Sequence, residues 1–159
     1  MNNSANGPNG ARAQLADYLQ ANKDALMNEW LARVRQDSVV LSDTLTQLEL
    51  VDHVPKIFDA MMQALRNHSD ETTSDVKEIA ARHTVIRWVQ RYDLHAVLRE
   101  VALLRAAFVR QLLAFDLQTE GLENDARLLN AMTIHRILDD IVMDATDTFL
   151  QLKDRAEVE

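Results

Sequence analysis

Between Val76 and Phe115, two stretches of helical period carry charged and imidazole groups on faces that ought to be apolar. On the first, Val76, Ile79, Ala80 and Ile86 recur at the three-and-four spacing of one helix face. At about 100° per residue, His83 falls at the centre of that face, and Arg87, one turn on, falls on it too. On the second, Leu94, Val97, Leu98, Val101, Leu104, Phe108 and Leu112 form the stripe, and Arg105 lies inside it. A buried polar group without a hydrogen bond costs a few kcal/mol, and an unpaired buried charge costs more. The fold must therefore supply partners for these three side chains or hold a ligand against them.

Composition sets the class. The 159 residues hold 3 Gly and 2 Pro against 47% hydrophobic residues, which argues for one all-α domain with a substantial core. A net charge of −8 argues against nucleic acid as a partner, because phosphate binding needs a clustered basic patch. No run approaches the roughly 18 apolar residues of a membrane span. The absence of cysteine excludes disulfides, thiolate catalysis and Cys-ligated metal, and fits a reducing cytoplasm. Residues 1–10 are polar, lack a signal-peptide core and read as a disordered arm.

From about Ala11 to Gln36 the pattern is helical, with a phase slip near Asn22 that predicts a kink or two short helices. Ser38 to Leu45 reads as a connector, with Val39 and Val40 plugging the edge of the core. Thr46-Gln47-Leu48-Glu49 is a capping box, with Leu45 and Leu50 placed as a hydrophobic staple. Pro55 should kink or split the following helix, after which Ile57, Phe58, Met61, Met62 and Leu65 resume an apolar face. Asn67 to Ser74 is a polar loop. Asp93 should cap a helix running to about Phe115, and Asp116 to Gly121 is a second break. The last helix, from about Leu122 to Lys153, carries a heptad seam of Ile134, Leu138, Ile141, Ala145, Thr148 and Leu152. Ile137, Val142 and Phe149 widen its apolar surface, so the seam is expected to meet a second copy of the chain. The domain is thus expected to span 11–153, with 154–159 a charged tail or a severed linker to an output domain.

Each polar candidate has two readings. His83 is either a ligand-binding group, haem iron included, or a core histidine hydrogen-bonded to a neighbour. Arg87 and Arg105 either bind an anion or tie to carboxylates, for which Glu100, Asp140 and Asp144 are the candidates. His135 lacks the flanking residues of a phosphoacceptor and reads as solvated. His53, His68 and His95 carry no assignment. Asp139, Asp140, Asp144 and Asp147 read as a solvated acidic face rather than a metal cage. The 6 Met residues read as core filler. Trp30, Trp88 and Tyr92 either frame a pocket or simply pack. No nucleophile is paired with a base and no Gly-rich phosphate loop exists, so an enzyme is not expected.

The stretch Arg82-His83-Thr84-Val85-Ile86-Arg87-Trp88-Val89-Gln90-Arg91-Tyr92-Asp93-Leu94, followed by Leu98-Arg99-Glu100 and Leu103-Leu104-Arg105, resembles the RsbRD-type N-terminal domain. So do Leu15-Ala16-Asp17-Tyr18-Leu19 and Trp30-Leu31-Ala32-Arg33-Val34. A His, an Arg, a Tyr-Asp-Leu turn, a Glu and a Leu-Arg pair recur in that order in the family. The resemblance implies a cytoplasmic sensory or regulatory module, found ahead of the output domain in bacterial sensor histidine kinases and stressosome-type regulators. It points to His83, Arg87, Tyr92, Glu100 and Arg105 as a ligand site or internal polar network. His83-Thr84-Val85-Ile86 is more distantly similar to the haem-proximal region of sensor globins. The expectation is a globin-like bundle of about six helices without haem, working as a homodimer that signals through its last helix. The alternatives are a haem-binding gas or redox sensor with His83 as proximal ligand, and a ligand-free helical adaptor.

Overall fold

The computed structural model describes residues 8–40, 45–51, 53–67 and 74–158. Among these, every regular element is a helix: α1 (Pro8–Ala21), α2 (Lys23–Gln36), α3 (Gln47–Val51), α4 (Val54–Arg66), α5 (Ser74–Val89), α6 (Leu94–Gln118) and α7 (Asn124–Val158). Six run for 13 residues or more, and α3 is a stub of 5. The all-α bundle with a long last helix expected from the sequence is what forms.

Local chemistry sets the boundaries. Pro8 opens α1, three residues ahead of the expected start, because proline loses nothing in a first turn whose N–H groups lack helical partners anyway. Residues 1–7 of the polar arm lie outside the described residues. The phase slip at Asn22 is a full break, where the Asn22 amide donates to the Tyr18 carbonyl at 2.8 Å. Glu49 closes the capping box on Thr46: its Oε2 accepts the Thr46 N–H at 2.7 Å and the Thr46 hydroxyl at 2.8 Å. Leu50 is fully buried and Leu45 packs against the core, as a staple requires. Pro55 splits rather than kinks: it sits in the first turn of α4. Val40 plugs the core and Val39 is half-buried. Residues 41–44 of that connector and 68–73 of the Asn67–Ser74 loop fall outside the described residues.

The core is laid down along α7. That helix runs against α5, α6 and α1, while α2 lies on α6 and α4 on both α1 and α5. Phe58 of α4 stacks on Phe108 of α6 with ring centres 5.8 Å apart, and Tyr18 meets Phe115 at 5.5 Å. Each fully buried large apolar side chain contributes about 1.5–3 kcal/mol. At the α6–α7 corner, Gly121 takes φ 74°. Arg127 collects the carbonyls of Asp116, Thr119 and Leu122 there, satisfying chain groups that the end of α6 leaves open.

The expected seam on α7 has a different partner. Ile134, Leu138, Ile141 and Ala145 are buried within the single chain, and Thr148 and Leu152 of the set are half-exposed. A heptad repeat records which stripe is covered, and here α5 and α6 cover it, so these residues are core and not a seam for a second copy. Of the large apolar side chains that α7 leaves exposed, Leu128, Met132, Met143 and Leu150 lie on the opposite face, and Val158 ends the helix. The final residues are helical to Val158, so the charged tail extends α7.

Candidate functional site

The corner between α5 and α6 assembles the site. There the Tyr92 N–H returns to the Arg87 carbonyl and the Arg91 N–H to the Trp88 carbonyl, both at 3.0 Å. This pairing is a Schellman stop, and it demands a left-handed residue at Arg91, whose φ is 68°. Glycine adopts that conformation freely, whereas a residue with a Cβ takes it at about 1–2 kcal/mol. Asp93 then opens α6 by accepting the Ala96 N–H at 2.7 Å, the expected cap. The two helices are thereby set so that His83, Arg87 and Glu100 face one another beside Tyr92.

Glu100 is the centre of this cluster. Its Oε2 accepts from His83 Nε2 at 3.1 Å and from Arg87 Nε at 2.8 Å, and its Oε1 accepts from the Tyr92 hydroxyl at 3.3 Å. Because a carboxylate only accepts, the proton of the His83 contact is assigned to Nε2. The remaining nitrogens of Arg87 reach the backbone of α3 and the end of its own helix. Nη1 donates to the Glu49 carbonyl at 2.9 Å and to Gln90 Oε1 at 2.7 Å, and Nη2 donates to the Leu50 carbonyl at 2.6 Å. The guanidinium carbon also lies 5.2 Å from the centre of the Tyr92 ring. Trp30 Nε1 donates to the Glu100 backbone carbonyl at 3.2 Å, which fastens α2 to the same point.

The electrostatics follow from burial. Seclusion from water works to raise the Glu100 carboxyl, but the hydrogen bonds and charges of His83 and Arg87 outweigh it and hold the group below the usual glutamate range. Burial first, and the Glu100 charge next, push the Tyr92 phenol well above its ordinary value. The space beside the cluster has a volume of about 20 Å³, and Ile141 and Ala145 of α7 border it together with His83 and Glu100. That is room for about one water molecule. The arrangement is a clamp that joins α2, α3, α5 and α6 and touches α7.

Haem does not fit here. His83 Nε2 is committed to a carboxylate, a buried ion pair occupies the adjoining space, and the cavity cannot take a macrocycle.

Arg105 belongs elsewhere. Its side chain is 29% exposed and pairs with Asp139, while its Nη1 lies 3.3 Å from His135 Nδ1. Neither Asp140 nor Asp144 is its partner. Leu104 and Phe108 on either side of it along the stripe stay buried, so Arg105 sits at the edge of the stripe, where it meets the rim of α7 and not the interior. Of the five residues singled out from the sequence, four come together and Arg105 does not join them. Thr84 and the carbonyls of α3 were not anticipated, whereas Trp30, one of the three aromatic residues read as framing a pocket or packing, borders the small space beside the cluster. Thr84 is buried and returns its hydroxyl to the Ala80 carbonyl at 3.0 Å. Gln90, three residues after Arg87, had a readable signal in that helical spacing. Trp30 packs in the core, whereas Trp88 meets Phe149 edge-on at 4.9 Å and borders an open pocket with Tyr92. Among the described residues, no group of three or more His, Asp or Glu is arranged to hold a metal. No helix among them is long and apolar enough to cross a membrane.

No curated protein and no solved structure matches the chain. The sequence model of the RsbT co-antagonist protein rsbRD N-terminal domain matches residues 24–158, which takes in every member of the buried cluster and the whole of α7. With that match covering most of its length, the chain belongs to the rsbRD N-terminal domain family, a family of stress-signalling regulatory domains.

Proposed function

We propose that this chain is a non-enzymatic sensory domain whose state is set at the Glu100 cluster and read out along α7. The observation that carries this reading is that Ile141 and Ala145 of α7 border the same water-sized space as His83 and Glu100. A change in the cluster therefore meets the longest helix of the fold directly. The output is a kinase or another regulatory module of a two-component or stressosome-type system in the cytoplasm, joined to or docked on the end of α7. Any signal must favour one arrangement of the cluster over another, or it shifts nothing.

The working form is a homodimer. Leu128, Met132, Met143 and Leu150 give α7 an apolar stripe directed away from its own core, and exposed apolar stripes of this kind mark association surfaces. Light scattering should return twice the chain mass, and Met132→Glu with Met143→Glu should return the monomer. A wild-type monomer at high concentration removes the dimer from the proposal.

Signal transfer is tested by fusing the chain ahead of a sensor-kinase catalytic core and measuring autophosphorylation. Glu100→Gln should change the rate several-fold while circular dichroism stays helical, and Arg110→Ala on the surface should leave it unchanged. Equal rates in both variants would overturn the mechanism.

A further inference from the structure

The chain has no cysteine, so its sulfur chemistry falls to methionine. Met27, Met61 and Met62 are buried in the core, whereas Met132 and Met143 are 59% and 61% exposed. Both exposed sulfurs belong to α7. They stand about three turns apart, which returns them to one face of the helix. Leu128 and Leu150 extend that face at either end.

The middle of the face is polar. Between the two methionines, at three-and-four spacing, come His135 and Asp139, and both meet Arg105 of α6. Its Nη1 lies 3.3 Å from His135 Nδ1, and its Nη2 donates to the Asp139 carboxylate. The apolar contact that this face can offer is therefore divided between two ends, Leu128 with Met132 and Met143 with Leu150. Each end holds one thioether.

We propose that Met132 and Met143 form a paired oxidation site through which peroxides act on the α7 face. One oxygen atom passes from the peroxide to the sulfur as the O–O bond breaks; the thioether is oxidised to the sulfoxide, and hydrogen peroxide is reduced to water. The product replaces a flexible apolar side chain with a polar one. A polar group pressed into an apolar contact without a hydrogen bond costs free energy, so the sulfoxides oppose the pairing of two copies. The switch acts on the homodimer proposed above and rests on that reading. Association covers the two sulfurs, which makes the monomer the reacting species and keeps its oxidised form from pairing again. Methionine sulfoxide reductases reverse the change, as a switch requires.

The test weighs the untreated chain by light scattering, exposes it to hydrogen peroxide, maps the modified residues by peptide mass spectrometry and weighs it again. Met132 and Met143 should each gain one oxygen atom while Met27, Met61 and Met62 stay unmodified in the folded chain. The dimer should weaken about tenfold or more, dilution should speed the oxidation, and methionine sulfoxide reductases should restore the dimer. Met132→Leu with Met143→Leu, which keeps apolar volume, should pair like the wild type and stay paired after the same treatment. A treated wild-type chain that pairs as before, oxidation of the buried methionines at the rate of the exposed ones, or equal dissociation of the double leucine variant overturns the proposal. Failure of the homodimer reading shows separately, as a monomer before any peroxide is added, and takes this inference with it.

Discussion

The Arg87 guanidinium and the Glu100 carboxylate meet at 2.8 Å with side chains 0% and 2% exposed, one from α5 and one from α6. A pair so placed is held by its geometry and by the bonds around it more than by Coulomb attraction, because both charges have lost their water.

Removing either partner alone should therefore cost about 3–5 kcal/mol, since it strands the other charge in the interior. Glu100→Leu and Arg87→Met are the two arms of a double-mutant cycle, measured by urea unfolding. The double variant Arg87→Met with Glu100→Leu should recover much of the loss, because an apolar replacement of a buried pair is often nearly neutral.

Acid should loosen the fold through the same carboxylate. Glu100 titrates below its ordinary value of 4.5 in the folded state, so the unfolded chain takes up its proton first as the pH falls. Its stabilising share is complete above about 4.5 and is lost as the pH drops through the lower folded value. Unfolding measured between neutral pH and 3 should show this loss in the wild type, and Glu100→Gln should flatten that part of the curve.

Arg105→Met should barely matter for stability. Its partner Asp139 is 64% exposed, and exposed pairs are worth about 0–1 kcal/mol. A loss comparable to that of Arg87→Met in the same urea experiment would mean that Arg105 carries as much of the fold as Arg87.

Arg91→Gly should stabilise the chain by up to about 1 kcal/mol, because relief of the left-handed backbone exceeds the extra freedom glycine gains when unfolded. Thermal melts decide the sign, and a lower melting temperature would mean that the Arg91 side chain contributes more to the fold than its backbone costs.

Much of this was readable beforehand, for reasons specific to each residue. The Thr46–Glu49 box and the Asp93 cap are local devices whose donors and acceptors lie within three residues, so spacing alone specifies them. His83 and Arg87 were legible because a polar residue in the middle of an apolar face must be answered from somewhere. What answers them was less so. Glu100 reads as a flank residue in the α6 pattern, and only the α5–α6 corner brings it opposite His83 and Arg87. Arg105 shows the converse: a place on an apolar stripe does not guarantee burial where the helix passes the rim of its neighbour. The stripe from Ile134 to Ala145 carries the mark of being covered, but periodicity does not record whether the cover is α5 and α6 or another molecule.

The Arg87 bonds to the Glu49 and Leu50 carbonyls have a consequence for the smallest helix. A 5-residue stub has no independent stability, and the far end of α3 is closed by a side chain belonging to α5. Residues 45–51 are thus a dependent segment that should detach while the remaining helices stay formed. Their amide hydrogens should exchange with solvent ahead of the rest, at a rate that reports from a distance whether the latch on α5 is shut.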